Sequence, residues 1–393
     1  MNRDDVVIAS AARTPMGSMM GALSGVRAPE LGATAIQSAI GMAGLQPADM
    51  EAVFMGCVLP AGLGQAPARQ ASRSAGIPDS AGCTTVNKMC GSGMQAVIIA
   101  HDQIRAGTNN LMIAGGMENM SQAPYLLPKA RSGMRMGHGE VLDSMFLDGL
   151  EDAYEGGLMG VFAQRTADDE NISREAMDEF AIRSLERANA AISNGWFEPE
   201  VAPVTVAGRK GETLVAVDEQ PGNARPDKIP ELKPAFAKEG SVTAANASSI
   251  SDGASALVLT SSSEAQNRGL TPRARIVAHA THSRRPDEFT LAPIGAIGKV
   301  LEKANWSVDD VDLFEVNEAF AVVVLAAIKA LALPADRVNV LGGGCALGHP
   351  IGSSGSRILA TLLNALEQRG VQRGVASLCI GGGEGTAVAI ERL

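Results

Sequence analysis

The sequence predicts an α/β protein in which one fold is used twice, with a further domain inserted into the first copy. Three observations carry this reading. Short apolar runs ending in Gly, Cys or Ser alternate with helix-length segments, the same rhythm returns after Arg275, and between the two stretches it breaks, from Ser121 to about Ser251.

The first set of runs is VVIAS, VFMGCV, TTVNKMC and LMIAGG, and the second is RIVAHAT, VDLFEV, RVNVLGG, VASLCIGGG and TAVAIERL. Helix-length stretches separate consecutive members, except the last two, so a parallel or mixed sheet is expected. Paired details point to duplication. Val86-Asn87 and Val338-Asn339 each end a strand, Ser92-Gly93 and Ser354-Gly355 each open a helix, and Gly115 to Glu118 (GGME) parallels Gly381 to Glu384 (GGGE). The insert begins Met-, Gly- and Pro-rich, continues as one long helix and ends rich in Pro and charge. Its helix is expected to start at an N-cap Ser173, to bury Met177, Phe180, Ala181, Leu185, Ala188 and Ile192, and to stop at Asn194-Gly195. GASALVLTSS then returns as the last strand of the first half. The expected division is 1–120 plus 252–272 for the first half, 121–251 for the inserted loop domain and 273–393 for the second half.

Composition narrows the function classes. A chain of 393 residues, 46% hydrophobic and 19% charged, can bury more than one core and should be ordered through most of its length. Lys plus Arg is 33 against 43 for Asp plus Glu, a net charge of -10, which is the wrong sign for a protein that neutralises nucleic-acid phosphates. The five cysteines, Cys57, Cys83, Cys90, Cys345 and Cys379, are odd in number, spread out and form no CxxC pair. That disfavours a disulfide scaffold and a zinc site and fits a reducing compartment. MNRDDVVIAS carries acids and runs straight into a strand pattern, so neither signal nor transit peptide is expected and the location reads as cytoplasmic. The longest apolar stretch, Ala319 to Leu333, is interrupted by Lys329 and is shorter than the roughly 20 residues of a spanning helix, so it reads as buried and no membrane partner is expected.

Four residues stand in settings suited to chemistry. Cys90 lies at a strand–helix junction opened by Gly-Ser-Gly, where unsatisfied N–H groups and the positive end of the helix favour a thiolate nucleophile. Its structural alternative is a small buried hydrophobe. His349 sits in GGGCALGHPIGSSGSR, whose six glycines and one proline in sixteen residues describe a fixed loop entering a helix. An imidazole there can take a thiol proton or donate to a carbonyl oxygen. Cys379 ends an apolar strand before a glycine run and could act as acid or base. Asn317 follows the strand VDLFEV and either caps the next helix or holds a water or ligand oxygen. Cys57, Cys83 and Cys345 are assigned to packing. Among His101, His138, His279 and His282 only the last two are close in sequence, and no metal site is expected. No P-loop, HExxH or nucleophile-elbow pattern occurs.

Taken in order, NKMCGSGMQAV, GGMENMS, NEAFA, GGGCALGHPIGSSGSR and CIGGGEGTA closely resemble the motifs of the thiolases (acetyl-CoA C-acetyltransferases and 3-ketoacyl-CoA thiolases), and the resemblance spans nearly the whole chain. It implies two half-folds packed as a five-layered αβαβα core, a loop domain in the first, and a homo-oligomer, dimer or tetramer. It further implies that Cys90 becomes acylated by an acyl-CoA with help from His349. Cys379 would then take the α-proton of a second acetyl-CoA, and the carbanion would attack the acyl group. Run backwards, the same groups perform thiolysis of a 3-ketoacyl-CoA. One oxyanion hole would come from His349 and a water held by Asn317, and the other from the backbone N–H groups of Cys90 and Gly381. No cofactor beyond the coenzyme A thioesters themselves is implied. The family's loop motifs, matched by EGGLMG, KPAFAKEG and VTAANASS, carry CoA contacts onto Met159, Phe236, Ala244, Ser248, Ala319 and Phe320. Arg209, Lys210, Arg225 and Lys228 are candidates for its phosphates, with solvated surface charge as their alternative.

Departures from the family pattern bear on chain length. Leu158 stands where many short-chain members have His, and Phe289, in SRRPDEFTLAP, falls near the acyl group without the usual glycines before the proline. GGGC also replaces the commoner GGA followed by an aliphatic residue. Rival readings are weaker. Gly91 to Ala96 fits the dinucleotide fingerprint G-x-G-x-x-A with Glu118 downstream, which suggests an NAD-dependent oxidoreductase, but Asn87, Lys88 and Cys90 interrupt the apolar strand that fingerprint needs. A 3-ketoacyl-ACP synthase would pair its cysteine with two histidines, and a non-catalytic carrier would be expected to lose Cys90, His349 or Cys379.

Overall fold

The computed structural model describes residues 4–209 and 211–393. The first half supplies β1 (Val6–Arg13), β2 (Gly17–Ser18), α1 (Ala28–Met42), β3 (Ala52–Gly56), α2 (Pro67–Ser74), β4 (Gly82–Val86), α3 (Ser92–Arg105) and β5 (Leu111–Asn119). Next come the short pair β6 (Tyr125–Leu126) and β7 (Leu142–Asp143), the helices α4 (Met159–Asp169) and α5 (Arg174–Ser193), the hairpin β8 (Val204–Gly208) and β9 (Gly211–Val215), and α6 (Glu219–Asn223). β10 (Ser251–Ser261) and α7 (Ser262–Asn267) lead to the second half. It comprises β11 (Ala274–Ser283), α8 (Ala292–Ala304), β12 (Leu313–Val316), α9 (Ala321–Leu331), α10 (Gly344–Leu347), α11 (Ser354–Arg369), β13 (Arg373–Ile380) and β14 (Glu384–Arg392).

Duplication is visible in the strand order. In the first half β4, β3 and β5 run parallel, and β10 and β1 add on antiparallel. In the second, β12 and β13 run parallel, β14 and β11 add on antiparallel, and Val338 makes a parallel bridge to Phe314 at the outer edge of β12. Each half therefore reads third, second, fourth, fifth, first. RVNVLGG supplies only that bridge and not the expected strand. Asn339 takes the left-handed conformation at φ 49, and its side chain binds Val316 N at 2.7 Å and Val316 O at 2.8 Å, standing in for the missing backbone partner. GGME lies inside β5, whereas the three glycines of GGGE form the turn between β13 and β14 and Glu384 opens β14, so that supposed equivalence is not one of conformation. The halves also meet edge to edge: β1 pairs β11 only through Val7↔Arg275 and Ile8↔Ala274, which closes a single ten-stranded sheet.

The core divides by side-chain alternation. On β10, Leu257 and Leu259 face α3 and α11 together with Leu378, Val388 and Ile390 from the second half, while Ala256 and Val258 face α1 and α2. On β14, Ala387 and Ala389 turn the other way, toward Ile297 and Val300 of α8 and Val322 and Val323 of α9. The order through the molecule is helix, sheet, helix, sheet, helix. α11 lies in the middle layer and buries every residue from Ser354 to Leu366, charged Arg357 included.

Serine caps the long helix of the insert as expected: Ser173 Oγ accepts from Ala176 N at 3.2 Å, and the chain turns out through Gly195 at φ 69. Ile192 is half-buried, and Ala191 takes its place in the core. Arg13, fully buried on β1, anchors the insert by pairing Glu200 at 2.5 Å and Asp218 at 2.7 Å. Among the described residues no helix is long and apolar enough to cross a membrane.

Candidate active site

The loops that follow β4, β13 and α10 converge on one cavity of about 360 Å³, with Cys90, Gly381 and His349 in its wall. Met89, in the left-handed conformation at φ 47, turns the chain sharply before Cys90. Ser92 Oγ fixes that turn, donating to Met89 O at 2.6 Å and accepting from Lys88 N at 2.8 Å. Cys90 lies one residue before the N-cap Gly91 of α3, its thiol under the opposing pull of the backbone N–H groups of Gly381 and of Cys90 itself. Gly381, the first residue of the β13–β14 turn, thus brings a second-half amide to the first-half sulfur.

His349 is buried, and its hydrogen bonds fix its tautomer. Ser354 Oγ donates to Pro350 O at 3.0 Å, so toward His349 Nδ1, 2.5 Å away, it must accept. Nδ1 therefore carries the proton. The lone pair is left on Nε2, which Asn317 Nδ2 approaches at 3.4 Å. Asn317 does not cap α9, which starts four residues later at Ala321; it directly follows β12, with its Oδ1 accepting from Arg357 Nη2 at 3.5 Å.

Burial decides the resting protonation states. It pushes the Cys90 thiol up to about 11 although the Gly381 and Cys90 amides pull the other way, so the thiolate expected from the helix terminus does not form at neutral pH. Burial, with the Arg357 charge adding to it, holds His349 down at about 3, which keeps the imidazole neutral with Nε2 ready to accept. The Cys379 thiol is raised well above its ordinary range by burial first and by Cys90 second.

Leu158, Met159, Phe236, Ala244 and Ser248 line the Cys90 cavity, as do Phe289, Ala319 and Phe320. Phe320 takes edge-on contacts from Phe236 and Phe289. Cys379 is fully buried behind the wall rather than in it. Arg225 and Lys228 line an adjoining cavity of about 450 Å³ that shares Ala244 and Ser249 with the first, and Cys345, assigned to packing from sequence, lines it too. Arg209 is exposed on the β8–β9 hairpin, and Lys210 lies outside the described residues. Sequence reasoning missed Phe146, Gly149 and Leu150, which sit on a π-helical turn, and Ile351, two residues past His349. Only Ile351 lay in a motif that could have signalled it.

Comparison with known proteins agrees with this architecture. The model of the thiolase N-terminal domain matches residues 6–263, and that of the thiolase C-terminal domain matches 270–392. The chain is 46% identical to the acetyl-CoA acetyltransferase of Cupriavidus necator over 390 residues, 99% of each chain. It is 47% identical to that of Pseudomonas aeruginosa, again over 390 residues and 99% of each. The crystal structure of the Bacillus anthracis acetyl-CoA acetyltransferase superposes with a TM-score of 0.97 at 42% identity, covering 100% of this chain and 99% of that one. Acat5 thiolase from Ascaris suum, solved in complex with coenzyme A, gives 0.94 at 41% identity over 99% of this chain and 100% of that one. With two thiolase half-folds, one shared cavity and full-length relatives, the chain belongs to the thiolase family.

Proposed function

We propose that this enzyme is an acetyl-CoA C-acetyltransferase that joins two acetyl-CoA into acetoacetyl-CoA and free CoA, and in reverse cleaves short 3-ketoacyl-CoA with CoA. The observation that carries this reading is the meeting of Cys90, His349 and Gly381, from opposite halves, in one apolar cavity. The names of the full-length relatives support it.

In the first half-reaction Cys90 Sγ attacks the thioester carbonyl while its proton passes to His349 Nε2, which neutral His349 can accept. The oxyanion is held by the N–H groups of Cys90 and Gly381, the two amides that oppose burial at the Cys90 thiol. Collapse breaks the carbonyl–sulfur bond to CoA, whose thiolate takes its proton from Cys379, leaving acetyl-Cys90, a Cys379 thiolate and His349 still protonated on Nε2. In the second half-reaction the Cys379 thiolate formed by that transfer removes the α-proton of a new acetyl-CoA, and the Nε2–H that His349 took from Cys90 donates, with Asn317, to the enolate oxygen. A thiol whose ionisation is strongly disfavoured gives a strong base once ionised, which suits this step. The enolate carbon attacks the acetyl group and releases the Cys90 thiolate, which takes the proton back from His349 Nε2, so that both thiols and the neutral imidazole are restored. The thiols, the imidazole and the amides supply all of this chemistry without a resident cofactor.

In this reading the 121–251 segment is the CoA-binding loop domain, with the pantetheine arm between Met159, Phe236, Ala244, Ser248, Ala319 and Phe320 and the phosphates toward Arg225 and Lys228 in the adjoining cavity. The enzyme works as a cytoplasmic homo-oligomer in lipid metabolism. A second reading, a 3-ketoacyl-CoA thiolase of broader chain length, is favoured by the apolar wall at Leu158 and Phe289.

Steady-state thiolysis of acetoacetyl-CoA and of longer 3-ketoacyl-CoA substrates decides between them. A kcat/KM highest for acetoacetyl-CoA is expected. A preference of tenfold or more for C8 or longer, about 1.4 kcal/mol of discrimination, would establish the second reading, and no thiolysis of either would sink both.

A further inference from the structure

Far along α3 from Cys90, His101 and Asp102 meet His279 of β11, a residue of the other half. His101 Nδ1 lies 2.9 Å from Asp102 Oδ1, and His279 Nε2 lies 3.0 Å from the same oxygen. The two imidazole rings pack edge-on with centroids 4.9 Å apart, and all three donor atoms fall within 4.8 Å of one another. His101 and His279 are 13% and 22% exposed and Asp102 60%, so the nitrogens are set into the wall while the carboxylate stands open to solvent. None of the three borders the Cys90 cavity. The pair that sequence spacing had suggested is not a pair at all, because His282 packs on Gly295 of α8.

We propose that His101, Asp102 and His279 bind a divalent transition metal of the zinc class, clipping the end of α3 to β11 across the join between the two halves. Two imidazole nitrogens and one carboxylate oxygen suit zinc, cobalt, nickel or copper and not magnesium or calcium, which prefer all-oxygen shells. A tetrahedral ion about 2.0–2.2 Å from each ligand sets the ligand atoms about 3.3 Å apart, so the 2.9 and 3.0 Å contacts are already near that spacing and the two nitrogens, which lie within 4.8 Å, close to it as the exposed Asp102 carboxylate gives way. The fourth position opens to water on the Asp102 side. Metal binding requires unprotonated imidazoles. Arg105 and Lys303 flank the cluster, the latter bonded to His279 O at 3.0 Å, and their charges temper the affinity. A clip here has a mechanical use. Only two residue pairs join β1 to β11, and an ion bound by the folded chain alone stabilises that seam by mass action.

The test uses chelator-treated full-length protein titrated with cobalt(II), then with zinc(II) as competitor. One equivalent per chain should give visible d–d absorption without thiolate-to-cobalt charge transfer, which separates this cluster from the cavity thiols. Zinc should displace the cobalt and raise Tm. His279→Ala and Asp102→Asn should each weaken binding at least about tenfold and remove the zinc-dependent rise in Tm. Should His279→Ala fail to fold, the exposed Asp102→Asn decides alone. No saturable cobalt band, a band of thiolate character only, or a band unchanged by Asp102→Asn would overturn the proposal and leave a hydrogen-bonded His–Asp–His contact.

Discussion

At Cys90 two effects oppose each other, and their balance sets how the enzyme waits for substrate. Amide N–H groups favour the thiolate, burial disfavours it, and burial wins, leaving a thiol near 11 beside an imidazole near 3. The proton therefore stays on sulfur until a thioester arrives. Iodoacetamide modification of Cys90 in the free enzyme should accelerate about tenfold per pH unit from 7 to 10 without a plateau, because the thiolate fraction grows throughout that range. Levelling off near pH 8 would mean that the resting sulfur is already ionised. His349→Ala should lower kcat about 10²- to 10⁴-fold with KM little changed. Ser354→Ala, which only frees the Nδ1 tautomer, should cost less, and equal losses would place Ser354 in the chemistry itself. These groups were legible in the sequence because glycine-rich loops held them. The apolar wall at Phe146 and Leu150 was not, since an apolar side chain facing a cavity has the same sequence signature as one facing a core.

Among the elements, the crossing of α3 and α11 in the middle layer depends on the two Ser-Gly pairs that revealed the repeat. A Cβ on Gly93 would stand 2.8 Å from Ser356 N, and one on Gly355 would stand 2.4 Å from Met94 N, both backbone contacts that cannot swing aside. Each helix thus needs its glycine because the other helix is there. Gly355→Ala should force the helices apart at the end that positions both Cys90 and His349. Chemical denaturation should show a loss of about 1–3 kcal/mol, with kcat falling more than KM changes. Wild-type stability and activity in this variant would show that the crossing is looser than drawn. The sequence displayed the pairs but could not show that they touch. It also could not show that Asn339 replaces a strand with one side chain or that α9 begins past Asn317, because both outcomes depend on the neighbour across the sheet.

Across the whole molecule, Glu118 joins the halves next to the site. From β5 its carboxylate accepts from Val58 N at 2.9 Å and Leu59 N at 3.1 Å in the first half, and from Gly352 N at 2.9 Å in the loop of His349. Burial outweighs these donors and raises its pKa from 4.5 to about 7. The folded chain therefore holds this proton more tightly than the unfolded one. The associated stabilisation is complete below about 4.5 and disappears as pH rises through about 7. At 1.36 kcal/mol per unit, a rise from 4.5 to about 7 is worth roughly 3 kcal/mol. Glu118→Gln keeps an acceptor for Val58 and Gly352, gives up the one for Leu59 and has no proton to lose. The variant should be less stable overall, but its deficit against wild type should shrink by up to roughly 3 kcal/mol between pH 4.5 and 7.5, read from urea unfolding at each pH. Parallel stability curves would mean that the carboxylate is ionised throughout, and that the three amides outweigh burial where the two halves meet.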